Sequence, residues 1–453
     1  MPLKTMTLAA AAAACAGELR NCPDPLETIA RAVIDSREVQ PGDLFVAYRG
    51  EKTDGHRYIQ TALDKGAVCA LAEYVPDGVE GPVLLVRDVQ SALEKISAAY
   101  RDTLQIPVIG ITGSVGKTTA KEMIASVLSQ RFRVLKTEGN FNNQIGVPMT
   151  ISRIEKEHEV AVVEMGISGF GEMTALAKIA KPTMAVFTVI GHAHLEFLHD
   201  LEGVFRAKTE LLDFLPADGT VICNGDDALL KTIRCPQRLL RFGTGEDCEV
   251  RAEETELLPG GFTRCRIVCG DRVIRAEIPA FGNQMVCAAL EGAAVGIAMG
   301  LTDEEISAGI AAFSNVGRRS AVTLTDSVTL IDDSYNANPD SMRCAVDSLA
   351  ELPGRHVCLL SDMLEMGPES AEMHRDLGAY ALEKGIAVVA AYGPFGREIA
   401  AGAGKAGYFF EDRESMIAAL PTLLRRGDTV LVKASKGMKI GPVADAVKEL
   451  DLT

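Results

Sequence analysis

Tryptophan is absent from the 453-residue sequence, while glycine, at 42 residues, is plentiful; that balance suits a βα-rich enzyme and by itself excludes little. Positive charge is scarce. Lys and Arg number 46 against 62 Asp and Glu, a formal net charge of −16. An acidic surface repels phosphate backbones, which excludes nucleic acid as a partner. Any anionic substrate must then be met by local positive charge. No apolar run reaches membrane-spanning length, so membrane insertion is not expected. Cysteine is present but unpaired in pattern: eleven residues, an odd count, with no metal-ligand spacing. Cys265 and Cys269 come nearest, but no matching Cys/His pair follows them. The expectation is reduced thiols in a cytoplasmic protein. The alanine run Ala9–Ala14 before Cys15 is less hydrophobic than the middle of a lipoprotein leader. A helix capped by Thr7 and closed by Gly17 explains it more simply.

The length is too great for one core, and three segments can be read. Residues 1–88 hold the alanine helix and short strands at Val33–Ser36 and Asp43–Tyr48, with Pro41-Gly42 as a turn. In residues 89–315, Ala92, Ile96 and Ala99 recur at helical spacing over 89–103. Apolar strands then follow at Pro107–Thr112, Val160–Glu164, Met184–Thr188 and Thr220–Cys223. Strands alternating with amphipathic helices predict a parallel sheet covered by helices. Residues 247–280 alternate at period two and read as a β-hairpin insert. Residues 316–453 repeat the α/β rhythm, with strands at Val328–Asp332, Val357–Ser361, Ala387–Tyr392 and Thr429–Lys433. The fold class expected is α/β with three domains. A central P-loop parallel-sheet ATPase domain is flanked by a small N-terminal α/β domain and a Rossmann-like C-terminal domain.

The sharpest local signal is Gly110-Ile-Thr-Gly113-Ser114-Val115-Gly116-Lys117-Thr118-Thr119, entered by an apolar strand and left by the helix Ala120–Leu128. Glycines let backbone N–H groups converge on phosphate oxygens, and the helix N-terminus adds positive potential. Lys117 is placed to reach the β- and γ-phosphates of ATP, and the Thr118 hydroxyl to bind Mg2+. Ile111 stands where the strict pattern has glycine, so Gly113 makes the turn. Sites in parallel sheets gather at strand carboxyl ends. Glu164 ends one such strand and reads as a second Mg2+ ligand. His194 follows another, in a cluster with His192, Glu196 and His199. Lys208, on an amphipathic helix, reads by itself as a solvated lysine.

Together these blocks resemble the Mur ligase family. Asp35-Ser36-Arg37, Pro41-Gly42-Asp43 and Asp54-Gly55-His56 are similar to its uridine-nucleotide-binding domain, which implies substrate contacts at Ser36 and Arg37. Asp332-Asp333-Ser-Tyr335-Asn336-Ala-Asn338-Pro339 and Ser361-Asp362-Met-Leu-Glu365 are similar to the third domain, implying an ATP contact at Asp333. The string Gly139-Asn140-Phe-Asn142-Asn143-Gln-Ile-Gly146-Val-Pro148 points to the branch that adds D-alanyl-D-alanine to UDP-N-acetylmuramoyl-tripeptide.

The resemblance further implies a carbamylated Lys208 and a metal set of Thr118, Glu164, His194 and Lys208. A bare ammonium beside Mg2+ would be repelled, whereas a carbamate attracts it. Lys117, His194 and Lys208 are the residues implied for catalysis. Asn140, Asn142 and Asn143 are expected to hold substrate amides or phosphate. Arg318 or Arg319 is expected to reach the ATP phosphates as the third domain closes, and the protein to act as a monomer.

Two departures stand out. The family's Gly-x-His-Asn-x-x-Asn-Ala becomes Gly282-Asn283-Gln284-Met285-Val-Cys287-Ala288-Ala289, so an adenine contact is lost or remade by Asn283 or Gln284. Lys433-Ala-Ser-Lys436 replaces Lys-Gly-Ser-Arg, losing a forked guanidinium. The competing readings are another Mur-type or polyglutamate-type ligase, and a Mur-like binding protein without ligase activity.

Overall fold

A computed structural model describes residues 6–50, 53–258 and 262–452. Among the described residues three sheets run in chain order, of five, nine and six strands.

The central sheet places Val108–Thr112 between Met184–Phe187 and Val160–Glu164, all parallel. Every residue of these three strands is buried. That is why they read as unbroken apolar runs rather than alternating ones. The register pairs Ile111 with Glu164 and Thr112 with Phe187, so three carboxyl ends open along one edge. Gly113, Glu164 and Thr188 therefore emerge together.

Residues 250–278 correct the hairpin expectation. They form three antiparallel strands, Val250–Leu258, Phe262–Cys269 and Arg272–Ile278, which extend the main sheet. The join is parallel pairing of Val250 with Phe242 on the strand Arg238–Gly243, whose mixed Arg-Leu-Leu-Arg run hid it. The alternation itself was legible: Thr263, Cys265 and Ile267 turn inward while Arg264 turns out.

The helix Val89–Asp102 begins at Asp88, whose carboxylate accepts from Ser91 N–H at 2.6 Å. It packs on the helix Leu8–Cys15 on one side and on Gly146–Ser152 and Glu172–Ala180 on the other. One apolar cluster consequently runs from Leu8 and Leu44 through Leu93 and Ile96 to Val147 and Leu176, joining the first and second segments. The alanine helix is capped by Thr7 as expected, but its left-handed residue is Ala16 (φ 55°), with Gly17 N–H closing onto Ala12 O at 3.0 Å.

The third sheet has the order Ala321–Leu324, Thr329–Asp333, Thr429–Lys433, His356–Leu360, Val388–Tyr392, Gly407–Phe410, parallel except for its first strand. Separate apolar clusters cover its two faces. Among the described residues no helix is long and apolar enough to cross a membrane. All eleven cysteines are free.

Candidate active site

The phosphate loop is built by a close approach. Gly113 has φ 153°, and a Cβ there would lie 1.9 Å from Thr188 Oγ1, so only glycine fits. Gly116 (φ 84°) starts the helix Lys117–Leu128. Ile111 is a buried strand residue. Lys117 folds back, its Nζ donating to Gly113 O at 2.7 Å. Burial lowers its pKa and nearby Arg319 lowers it further, against the opposing pull of Glu164.

Glu164 is 1% exposed, not a strand end in water. Its Oε2 accepts from Thr118 Oγ1 at 2.8 Å and its Oε1 from Asn142 Nδ2 at 2.7 Å. The Glu164 N–H donates to Thr137 Oγ1 at 3.0 Å. Lys121, also buried, stands 3.9 Å from Glu164 Oε2 and donates to Thr137 O at 2.7 Å. The carboxylate is thus held by charge and two hydrogen bonds, and its backbone by a third.

His194 adopts φ 56°, and its Nδ1 lies 2.6 Å from Glu365 Oε2 of the third segment. With the proton on Nδ1, Nε2 is left as an acceptor facing the site. Burial lowers the His194 pKa, and Lys117 and Lys208 reinforce this against Glu365. His192 meets Asp340 at 3.1 Å, while His199 is exposed.

Lys208 is 1% exposed on the helix Leu201–Thr209. Among the described residues no ion pair or hydrogen bond compensates its ammonium. Burial pushes its pKa well below that of a free lysine, and Lys117 adds to the shift. The solvated reading does not hold.

A cleft of about 540 Å³ lies over the sheet edge. The whole loop Ser114–Thr119 lines it, with Asn140, Asn142, Asn143, Glu164 and His194. The third segment adds Arg319, Asp333, Tyr335, Lys433 and Lys436. Tyr48 and Gln90, which sequence reasoning missed, come from the chain's first hundred residues; Gln90 Nε2 donates to Gln144 Oε1 at 2.7 Å. Neither carries a motif signal, so only the fold could reveal them.

Several expected residues lie elsewhere. Arg318 is held within the third segment, its Nη2 donating to both Asp445 carboxylate oxygens at 2.7 Å and its Nη1 to Gly441 O at 2.7 Å. Its neighbour Arg319 instead stacks over Tyr335, 3.7 Å from the ring centroid, and faces the cleft. Asn283 is exposed at the start of the helix Asn283–Ala298, and the next two residues, Gln284 and Met285, turn inward. Ser36 and Arg37 lie outside the cleft. Arg37 pairs with Asp35 at 2.6 Å, which holds the Asp35 carboxyl at about 2, and Ser36 O accepts from Lys65 Nζ at 2.9 Å.

The donor set suits Mg2+: a hydroxyl and a carboxylate oxygen already 2.8 Å apart, with an imidazole nitrogen beside them. Among the described residues no group of three His, Cys, Asp or Glu forms a self-sufficient metal cage. An ion held here would need oxygen ligands beyond these three residues.

A glycine-tight loop on a parallel sheet, with a third α/β unit closing over it, defines a nucleotide-using enzyme of the phosphate-loop class. Family models described as Mur ligase family, catalytic domain; Mur ligase middle domain; and Mur ligase, glutamate ligase domain match residues 28–109, 111–318 and 317–436. The chain belongs to the Mur ligase family. It is 35% identical to the UDP-N-acetylmuramoyl-tripeptide–D-alanyl-D-alanine ligase of Bacillus subtilis, covering 96% of this chain and 97% of that one. A crystal structure of MurF from Acinetobacter baumannii superposes with a TM-score of 0.91 at 31% identity, covering 99% and 100% of the two chains. MurF ligase from Thermotoga maritima, solved in complex with ADP, gives 0.83 at 29% identity, covering 92% and 97%.

Proposed function

We propose that this chain uses ATP to join D-alanyl-D-alanine to UDP-N-acetylmuramoyl-tripeptide, the step that its relatives at 35% identity are named for. The observation that carries the chemistry is the cluster of Lys117, Thr118, Glu164 and His194 around one sheet edge, with unpaired Lys208 beneath it.

In the proposed mechanism the tripeptide carboxylate attacks the γ-phosphorus of ATP, ADP departs, and an acyl phosphate forms. The amine of D-alanyl-D-alanine then attacks the acyl carbon, and phosphate leaves the tetrahedral adduct as the amide forms. Lys117 and the N-terminus of its helix gather the γ-phosphate charge. Burial lowers the Lys117 pKa, and a triphosphate bound beside it would raise it again by favouring the ammonium. Mg2+, when bound, neutralises phosphate oxygens and sharpens the electrophilic phosphorus. Thr118, Glu164 and the free nitrogen of His194 are the residues that would hold it. Neutral Lys208 is a nucleophile for CO2: its nitrogen forms the C–N bond, a proton passes to water, and the resulting carbamate supplies an anionic ligand. Asn140, Asn142 and Asn143 position substrate amides, Arg319 reaches the phosphates, and Asp333 anchors Lys433.

ADP release, measured with UDP-N-acetylmuramoyl-tripeptide and with or without D-alanyl-D-alanine, tests this reading. Sustained release is expected only with the dipeptide. Release independent of it favours a non-ligating nucleotide-binding relative. Release with a different amino acid in its place favours another ligase of this type.

A further inference from the structure

The third segment meets the phosphate-loop edge of the second through two histidine–carboxylate pairs. His192 N–H donates to Asp340 Oδ2 at 2.5 Å, and the His192 ring nitrogen Nδ1 lies 3.1 Å from the same oxygen. A Cβ at Gly191 would stand 2.5 Å from Asp340 Oδ2, so the backbone here is shaped to that carboxylate. Two residues on, His194 Nδ1 lies 2.6 Å from Glu365 Oε2. The first pair involves none of the groups assigned to a cation. The second does, and the mechanism above gives Glu365 no part.

Glu365 is set on an anchored turn. Leu364 N–H donates to Ser435 Oγ at 3.0 Å, and Ser435 N–H donates to Asp362 O at 3.1 Å. Met363 N–H donates to His374 Nε2 at 2.8 Å. Ser435 lies between Lys433 and Lys436, which line the cleft. The turn that carries Glu365 is therefore tied to the cleft-lining end of the strand Thr429–Lys433. His194 (φ 56°) and Glu365 (φ 64°) both have left-handed backbones, two of nine such non-glycine residues among the described residues. Side chains with a Cβ disfavour that region, and such residues collect at functional sites. Here two of them face each other across two segments.

We propose that Glu365 is a positioning residue for the cation site: delivered by the third segment, it holds the His194 proton on Nδ1 and leaves Nε2 to the cation, so the site is complete only while that segment is docked. This deepens the reading of Thr118, Glu164 and His194 as cation donors, and rests on it. Metal-binding imidazoles donate their second ring N–H to a carboxylate or carbonyl, which fixes both tautomer and orientation. Among the described residues the His194 ring has no other hydrogen-bond partner. Without Glu365 the ring is free to turn and to exchange tautomers. The coupling is reciprocal: whatever affinity docking adds for the cation, the cation adds to docking. A cation in the cleft thus favours the arrangement in which Arg319, Lys433 and Lys436 also face it.

The His194 tautomer is read from its ring 15N shifts at about pH 8, with ADP present and divalent cations removed. Peaks missing from H194A assign the residue. The wild type is expected to show a protonated Nδ1 and a bare Nε2, and E365A the averaged shifts of two exchanging tautomers. In steady-state ADP release, E365A should raise the half-saturating Mg2+ concentration by about tenfold. A role in docking alone predicts instead a lower kcat with an unmoved midpoint. If alanine is poorly tolerated on the left-handed backbone, E365N suits that backbone and is one methylene shorter, supplying the same comparison. An unchanged Mg2+ midpoint or an unchanged His194 tautomer in E365A or E365N overturns the assignment of Glu365 alone. A wild type whose ADP release does not respond to Mg2+ overturns the cation reading beneath it.

Discussion

Thr118 Oγ1 donates to Glu164 Oε2 across 2.8 Å, tying the first turn of the phosphate-loop helix to the end of the neighbouring strand. The two residues are 46 positions apart in sequence, and parallel register alone brings them together. Glu164→Gln keeps the shape and removes the charge. It should weaken the response of activity to Mg2+, raising the half-saturating Mg2+ concentration by about tenfold. Titrating Mg2+ at saturating ATP reads this; an unchanged midpoint contradicts the assignment of Glu164.

Lys117 is the only loop side chain able to place an ammonium on the γ-phosphate. Lys117→Ala should lower kcat by about a thousandfold, the scale of losing a preorganised charge in a phosphoryl-transfer site. Circular dichroism should show an unaltered fold, and steady-state ADP release measures the loss.

Lys208 is buried, and among the described residues it has no partner; burial pushes its pKa down, which favours the uncharged amine that CO2 requires. Incubation with 13C-bicarbonate should produce one carbamate resonance that is missing from Lys208→Ala. That variant should lose about a hundredfold or more in activity. A 13C spectrum identical in the two proteins counts against the carbamate.

How much of this was legible beforehand divides along physical lines. Val160–Glu164 and Thr429–Lys433 were readable to the residue because strands buried on both faces are continuous β-branched runs between polar breaks. The loop was readable because Gly113 and Gly116 are demanded by backbone geometry. Arg238–Gly243 was not, since its arginines break the pattern, and neither was the edge strand Gly407–Phe410. Lys208 looked solvated because local sequence cannot report that the helices packed around its own helix bury it. Arg318 and Arg319 are indistinguishable in sequence; only Asp445, more than a hundred residues away, separates the clamp from the cleft residue.

That pair yields its own prediction. Arg319→Ala should raise KM for ATP by about tenfold. Arg318→Ala should instead destabilise the third domain by about 1–3 kcal/mol, by unpairing Asp445 and leaving Asp332 to Lys448 and Ser334. Thermal unfolding and ATP kinetics, measured on both variants, should show opposite patterns.

Asp362 is 1% exposed, and burial pushes its carboxyl up to about 6, with only the Phe395 N–H opposing at 3.1 Å. A carboxyl raised on folding prefers its proton in the native state. Its contribution is therefore present at low pH and is lost as pH rises from about 4 through 6. Asp362→Asn should stabilise the protein at pH 7 by roughly 1–3 kcal/mol and flatten this part of the profile. Urea unfolding between pH 4 and 8 measures it.

The central claim is that the precursor carboxylate is phosphorylated before the amide forms. UDP-N-acetylmuramoyl-tripeptide carrying 18O in the reacting carboxylate tests it most directly, with mass analysis of the phosphate released during ligation. The account predicts one 18O atom in each inorganic phosphate per amide bond made. Phosphate free of 18O, with the amide still formed, would contradict it.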